Sequence, residues 1–191
     1  MSPLGGLLFT SGPLPSPAWQ PMNVPALVNA IKQRLANGPS SDRLVESVAT
    51  ILERSVESSI QDWYEHVVLE EKLMEVPLSQ ELRTGHLTQV FRDLVRRLRS
   101  FKPLGTKEPM SIFAAEHGIT RREQGYTAAM MVEESRMLQV CIFQTLQNNL
   151  ATIDFSVLLI GVMTIADEVD SQLGQSMDSY IAHSLGDALP A

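Results

Sequence analysis

The stretch VESVATILERSVESSIQDWYEHVV, residues 45–68, carries apolar side chains at steps of three and four: Val45, Ala49, Leu52, Val56, Ile60, Trp63 and Val67. At that spacing they line one face of a helix, whereas a strand would alternate at every second residue. The stripe predicts one long helix that follows Ser41 and ends before Pro77, whose ring disfavours helical backbone in the residue ahead of it. The same periodicity recurs downstream. Ser79 is a good N-cap for a helix with the stripe Leu87, Phe91, Leu94, Leu98 and Phe101. Thr120 and Glu123 have the spacing of a capping box, which predicts a third long helix from there to Asn149. Asp154 or Ser156 opens a fourth, reaching Ser184, with the stripe Leu158, Val162, Ile165, Val169, Leu173, Ser176 and Tyr180. Shorter helices are expected over residues 25–36 and 110–116, the second stopped at Gly118. No segment alternates with period two. The expected fold is all-α, an antiparallel helical bundle of four long helices plus short helices.

The chain has 191 residues, 44% hydrophobic and 19% charged, which suits one globular domain with a real core. The expected division is a disordered Pro-rich tail at 1–22, a single helical domain at 23–185 and a short tail at 186–191. A net charge of −7 argues against broad nucleic-acid binding. Cys141 stands alone, so there is no intramolecular disulfide framework, and a reducing cytoplasm fits. The most apolar run, FSVLLIGVMTIA at 155–166, falls short of the roughly 20 residues a membrane-spanning helix needs. The first residues lack the basic region of a secretory signal. Neither a membrane nor a nucleic acid is expected as a partner.

Motifs for catalysis are missing. His66, His86, His117 and His183 are scattered and no Glu-x-x-His pair occurs, so no metal site is expected. Asp62, His66 and Glu70 share a helix face that reads as solvated. No glycine-rich loop ends in Lys-Ser/Thr, and Cys141 reads as a small buried hydrophobe. In RDLVRRLRSFK, residues 92–102, the apolar residues are spaced for a core rather than for stacking on bases. No catalytic residue and no cofactor are expected, and the isolated chain is read as not an enzyme. The alternatives kept open are a metal- or haem-dependent helical-bundle enzyme and a ligand-free dimerisation module.

One stretch is chemically dense: AAEHGITRREQGYTAAMMVEE, residues 114–134. It predicts a corner between two helices. Gly118 would end the first helix in a left-handed conformation, Thr120 would cap the second, and Arg121 or Arg122 would tie the corner to a carboxylate. Glu133 and Glu134 flank the apolar face that carries Tyr126 and Met130, and a carboxylate there needs a partner. His117, Tyr126 and the arginines are the candidates. Gly125 and Ala129 form a small-residue edge where another helix would approach. The corner is either structural or a site where His117, Arg121 and Tyr126, with Glu133, bind a signal.

His117-Gly118, Arg121, Gly125-Tyr126 and the following Glu133 or Glu134 resemble the pattern HG-x-x-R-x-x-x-GY with a glutamate soon after, as in the N-terminal domain family of RsbRD, the RsbT co-antagonist protein. Trp63 on an earlier helix and the Pro77-Leu78-Ser79 helix start fit as well. The resemblance covers residues 44–150 and extends towards 182. Such domains are input modules of stressosome-type regulators and of sensor kinases. The resemblance therefore implies a non-enzymatic, cytoplasmic, bacterial signal-sensing or partner-binding domain. It also implies a signalling partner or output domain of the kinase or anti-sigma switch type, with a small molecule as the signal. The far half of the last helix, polar around a stripe at near-heptad steps, is expected to project and pair with its twin in a homodimer, or to lead into an output element. The family-marked positions are His117, Gly118, Arg121, Gly125, Tyr126 and Glu133. No output domain pattern follows the last helix, so the expectation is a standalone module or a segment of a longer protein.

Overall fold

The structure is a computed structural model, and it describes residue 29 and residues 46–100, 102–106 and 111–187. The expected tail at 1–22, the helix at 25–36 apart from residue 29, Val45, Phe101 and Met110, and the last four residues lie outside these. The described residues form helices α1 (Val48–Arg54), α2 (Val56–Val67), α3 (Glu71–Met74), α4 (Gln80–Thr84), α5 (Leu87–Arg99), α6 (Ile112–Glu123), α7 (Ala128–Asn148) and α8 (Phe155–Asp187). The fold is all-helical among the described residues, with one isolated bridge, Glu46 to Ile153, and no strand.

The opening stripe is helical but not one helix. Ser55 departs from helical backbone (φ −108°, ψ 11°) and divides it into α1 and α2. The stripe survives the break: Ala49, Leu52, Trp63 and Val67 are buried, with Val56 and Ile60 packed against them. A fully buried aliphatic side chain such as Leu52 or Val67 contributes about 1.5–3 kcal/mol by leaving water. Ser79 caps the next helix, its hydroxyl accepting from the Leu82 N–H at 3.3 Å. That helix, α4, stops at Thr84, and Gly85 and His86 separate it from α5. The expected continuous helix is therefore two, and the break sets the direction of His86.

The corner also differs from expectation. Gly118 does not end a helix. It lies within α6, which runs on through Thr120 to Glu123. A Cβ there would stand 2.0 Å from the Ser176 carbonyl oxygen, so the glycine is needed for α6 to touch α8. The turn is at Gly125, with φ +89°, and Thr127 caps α7 by accepting from the Met130 N–H at 3.2 Å. Gly125 and Ala129 are exposed, so the close helix approach falls at Gly118 instead.

α6 lies along the second half of α8. Ser176 donates to the Ala114 carbonyl and Tyr180 to that of Tyr126, both at 2.8 Å. That half of α8 is thus occupied within the chain rather than projecting. The exposed apolar residues Val157, Leu159, Ile160 and Met163 are in its first half, and Ile181 is exposed in the second. α7 packs on α2 and α8, and α5 packs on α1 and α8. The basic run at the end of α5 is taken up by acidic partners. Arg97 is buried and reaches Asp167 at 3.1 Å and the carbonyls of Lys102 and Pro103 at 3.0 Å, while Arg99 pairs with Glu53. No helix of the described residues is long and apolar enough to cross a membrane.

Candidate functional site

The end of α6 and the start of α7 meet over α4 and the junction into α5. Arg121, in the last turn of α6, is 1% exposed, and Glu134, in the second turn of α7, is 3% exposed. The reversal at Gly125 brings them face to face. The guanidinium donates from Nε to one carboxylate oxygen at 3.0 Å and from Nη2 to the other at 2.7 Å. It also donates to the Leu82 carbonyl (3.3 Å), the Gln124 side chain (2.8 Å) and the Arg83 carbonyl (2.9 Å). Those bonds account for all five N–H groups of an arginine.

Arg83 is buried beside them. It donates from Nη1 to the Tyr126 hydroxyl at 2.9 Å and from Nη2 to the Val76 carbonyl, and its Nε finds no acceptor. It makes no ion pair among the described residues. Tyr126 in turn lies 3.4 Å from Glu134, and Trp63 donates to the Glu134 backbone carbonyl at 3.2 Å.

Two histidines complete the floor. His86, at the start of α5, stacks on His117 of α6 with centroids 4.1 Å apart and planes at 22°, while Trp63 meets His86 edge-on. His117 Nε2 is 3.7 Å from Glu134. Burial, reinforced by the neighbouring Arg121, lowers the His117 pKa to about 3. Burial also pushes His86 well below its usual value, with His117 and Arg121 adding to the shift. Both rings are therefore neutral near pH 7. Burial raises the pKa of Glu134, and Arg121 opposes that shift. Tyr126 is raised by burial and then by Glu134.

A cavity of about 430 Å³ opens beside this floor, within the size range of small-ligand sites. Its walls include Trp63, Phe113, Met131 and Leu138, and α8 adds Val169 and Leu173.

No family model, curated protein or solved structure matches this chain. The site is therefore read from its own geometry.

Of the residues singled out in the sequence, the fold gathers His117, Arg121, Tyr126 and Glu134 into one contact network. Glu133 is left out. Adjacent helical residues point 100° apart, so Glu133 turns outward and pairs with Arg136. Gly118 and Gly125 shape the backbone and do not line the floor. Arg83 and His86 were not among the singled-out residues. Arg83 carried one usable signal: it sits one turn before Leu87, in line with an apolar stripe, where a charge needs a partner. His86 carried none, because 31 residues of sequence separate it from the ring it stacks on.

The nitrogens of His86 and His117 and an oxygen of Glu134 all lie within 4.8 Å of one another, a grouping that spacing in the sequence did not reveal. The charge around them opposes a metal ion. Arg121 already holds both carboxylate oxygens, and Arg83 adds a second buried cation. Elsewhere, Cys141 is buried with its Sγ 3.7 Å from His66 Nδ1, and burial, with Asp62 adding, pushes the thiol up to about 12. A thiol held that high is a poor nucleophile near pH 7.

Proposed function

We propose that the chain is a non-enzymatic, signal-sensing or partner-binding regulatory domain of bacterial type. The observation that carries this reading is the cavity built over a dry, hydrogen-bonded floor and walled on one side by α8. A ligand that enters it touches α4, α6, α7 and α8 together and favours the packing in which they close around it. A shift of α8 against α6 is then the outgoing signal. The chemistry of the floor supports binding over catalysis. Its histidines are held uncharged near neutral pH and are weak bases, and its carboxylate is occupied by Arg121.

The resemblance in the HG-x-x-R-x-x-x-GY region supports the same reading and adds an output partner of the kinase or anti-sigma switch type. The frame of the proposal is an antiparallel helical bundle of the long helices, with α6 strapped to α8. A cytoplasmic location and a homodimer belong to the proposal too, and the exposed Val157, Leu159, Ile160 and Met163 offer the dimer an apolar face. Thermal unfolding of the purified chain against a metabolite library tests the reading. A ligand present at 100 times its Kd adds about 2.7 kcal/mol. A library in which no compound raises the unfolding temperature, and no compound perturbs Trp63, would sink it.

A further inference from the structure

Three features of the cavity bear on what it binds: the charge of its floor, the charge of its lining and the state of its hydrogen-bonding groups. Buried at the base are two guanidiniums, Arg121 in the wall and Arg83 behind it, and two carboxylates, Glu134, which Arg121 holds, and Asp93, which pairs with Arg96 at 2.8 Å. His86 and His117 add no charge there near pH 7. A cation brought to the His86–His117 edge meets Arg121 there, and the buried carboxylates within reach, Glu134 and Asp93, already hold arginines.

The lining tells against an anion. Besides Glu134, the carboxylates of Glu81, Asp93 and Glu116 line the cavity, and Arg121 is its only lining cation among the described residues. Arg121 has no N–H left to offer, because Glu134, Gln124 and the carbonyls of Leu82 and Arg83 take all five. Arg83 is turned away to Tyr126 and Val76 and does not line the cavity. An incoming carboxylate or phosphate would lose its water and gain no charged donor.

The remaining lining groups include the imidazoles of His86 and His117, the uncharged polar side chains of Gln89, Thr120, Ser135 and Gln172, and the apolar side chains of Phe113 and Leu173. We infer that the ligand of this cavity is an uncharged aromatic molecule, apolar over most of its surface and carrying one hydrogen-bonding edge that meets His86 and His117. The inference rests on the sensing reading and names its ligand class. Phe113, 57% exposed, and the stacked rings of His86 and His117 supply flat area, and the histidines orient the polar edge. Neither histidine needs to change protonation for the ligand to bind.

The test is a matched set on one ring system: 2-naphthamide, 2-naphthoate and 2-naphthylmethylammonium, titrated calorimetrically into the full chain near pH 7, with Zn²⁺ alone as a compact cation. The amide is expected to bind at least tenfold more tightly than either charged analogue. Leu173→Trp, which fills the cavity from α8 without touching the polar floor, should abolish that binding while the circular dichroism stays unchanged. If that variant does not fold, Met131→Leu, nearly equal in volume, serves as a second probe and should alter the amide's affinity several-fold. Tightest binding by the carboxylate or the ammonium overturns the inference, as does Zn²⁺ binding that is lost in His86→Gln and His117→Gln. Should the whole set fail while a charged metabolite stabilises the fold, the sensing reading stands and this inference falls. Should nothing bind, both fall.

Discussion

Arg121 and Arg99 each hold a glutamate through two nitrogens, Arg121 to Glu134 at 3.0 and 2.7 Å and Arg99 to Glu53 at 3.2 and 2.5 Å. The geometry is nearly the same and the surroundings are not. The first pair is closed off by α4, α6 and α7, while the side chains of the second are 52% and 55% exposed. In water the attraction is screened, and ordering two long side chains cancels most of the gain. In the dry corner each charge depends on the other, because neither can recover its hydration. A bidentate arginine pair thus says little about stability until its burial is known.

The sharpest way to break this comparison is to remove one charge from the dry pair. Arg121→Met leaves Glu134 buried without its partner and frees the Leu82 and Arg83 carbonyls. The expected loss is about 3–5 kcal/mol in denaturant unfolding. The double change with Glu134→Met should recover part of it, and a double variant as unstable as the single one would show that the pair is not the cause.

Gly118→Ala comes next. A Cβ 2.0 Å from the Ser176 carbonyl oxygen forces α6 away from α8, at a cost of about 1–3 kcal/mol from overpacking. It should also let water towards the corner, so that Arg121→Met costs less in this background than in the wild type. Wild-type unfolding of Gly118→Ala would refute the close helix contact.

Acid sharpens the contrast further. Unfolded, His86 and His117 titrate near 6.5, whereas the folded chain refuses a proton at His117 until about pH 3. Between those values the unfolded chain binds more protons, so stability is complete above pH 6.5 and falls as pH drops towards 3. Each group contributes about 1.4 kcal/mol per pH unit where it is fully effective. Glu134, raised in the folded chain, acts with the opposite sign and offsets part of the loss. His117→Gln should flatten the slope measured by urea unfolding between pH 6.5 and 4. An unchanged slope would mean that the ring is not held neutral.

The smallest effect belongs to the exposed pair. Arg99→Gln should leave the unfolding midpoint unmoved at moderate salt, and a clear loss there would erase the distinction between the two pairs.

Helix content and the core face were legible because they are local. A period of three and four marks the buried side of α1, α2, α5 and α8 whatever the partners, and Ser79 was readable as a cap from its own neighbours. Helix ends were less so. The capping pattern at Thr120 and the stop at Gly118 looked local but yielded to packing. Gly118 lies against Ser176, 58 residues away, and the turn moved to Gly125, where positive φ favours a residue without a side chain. The site was half legible. Density at 114–134 exposed His117, Arg121, Tyr126 and Glu134, but the choice between Glu133 and Glu134 depended on where α7 begins.

By itself, the sequence determined an all-helical chain with a periodic apolar face and a chemically dense corner, because hydrophobic periodicity and capping act over a few residues. Tertiary structure alone decided which charges are dry. Arg83 and His86 join Arg121, His117 and Glu134 only when α4 and the start of α5 close over α6 and α7. Burial, which removes water from these groups, is a property of that closure and of no single segment.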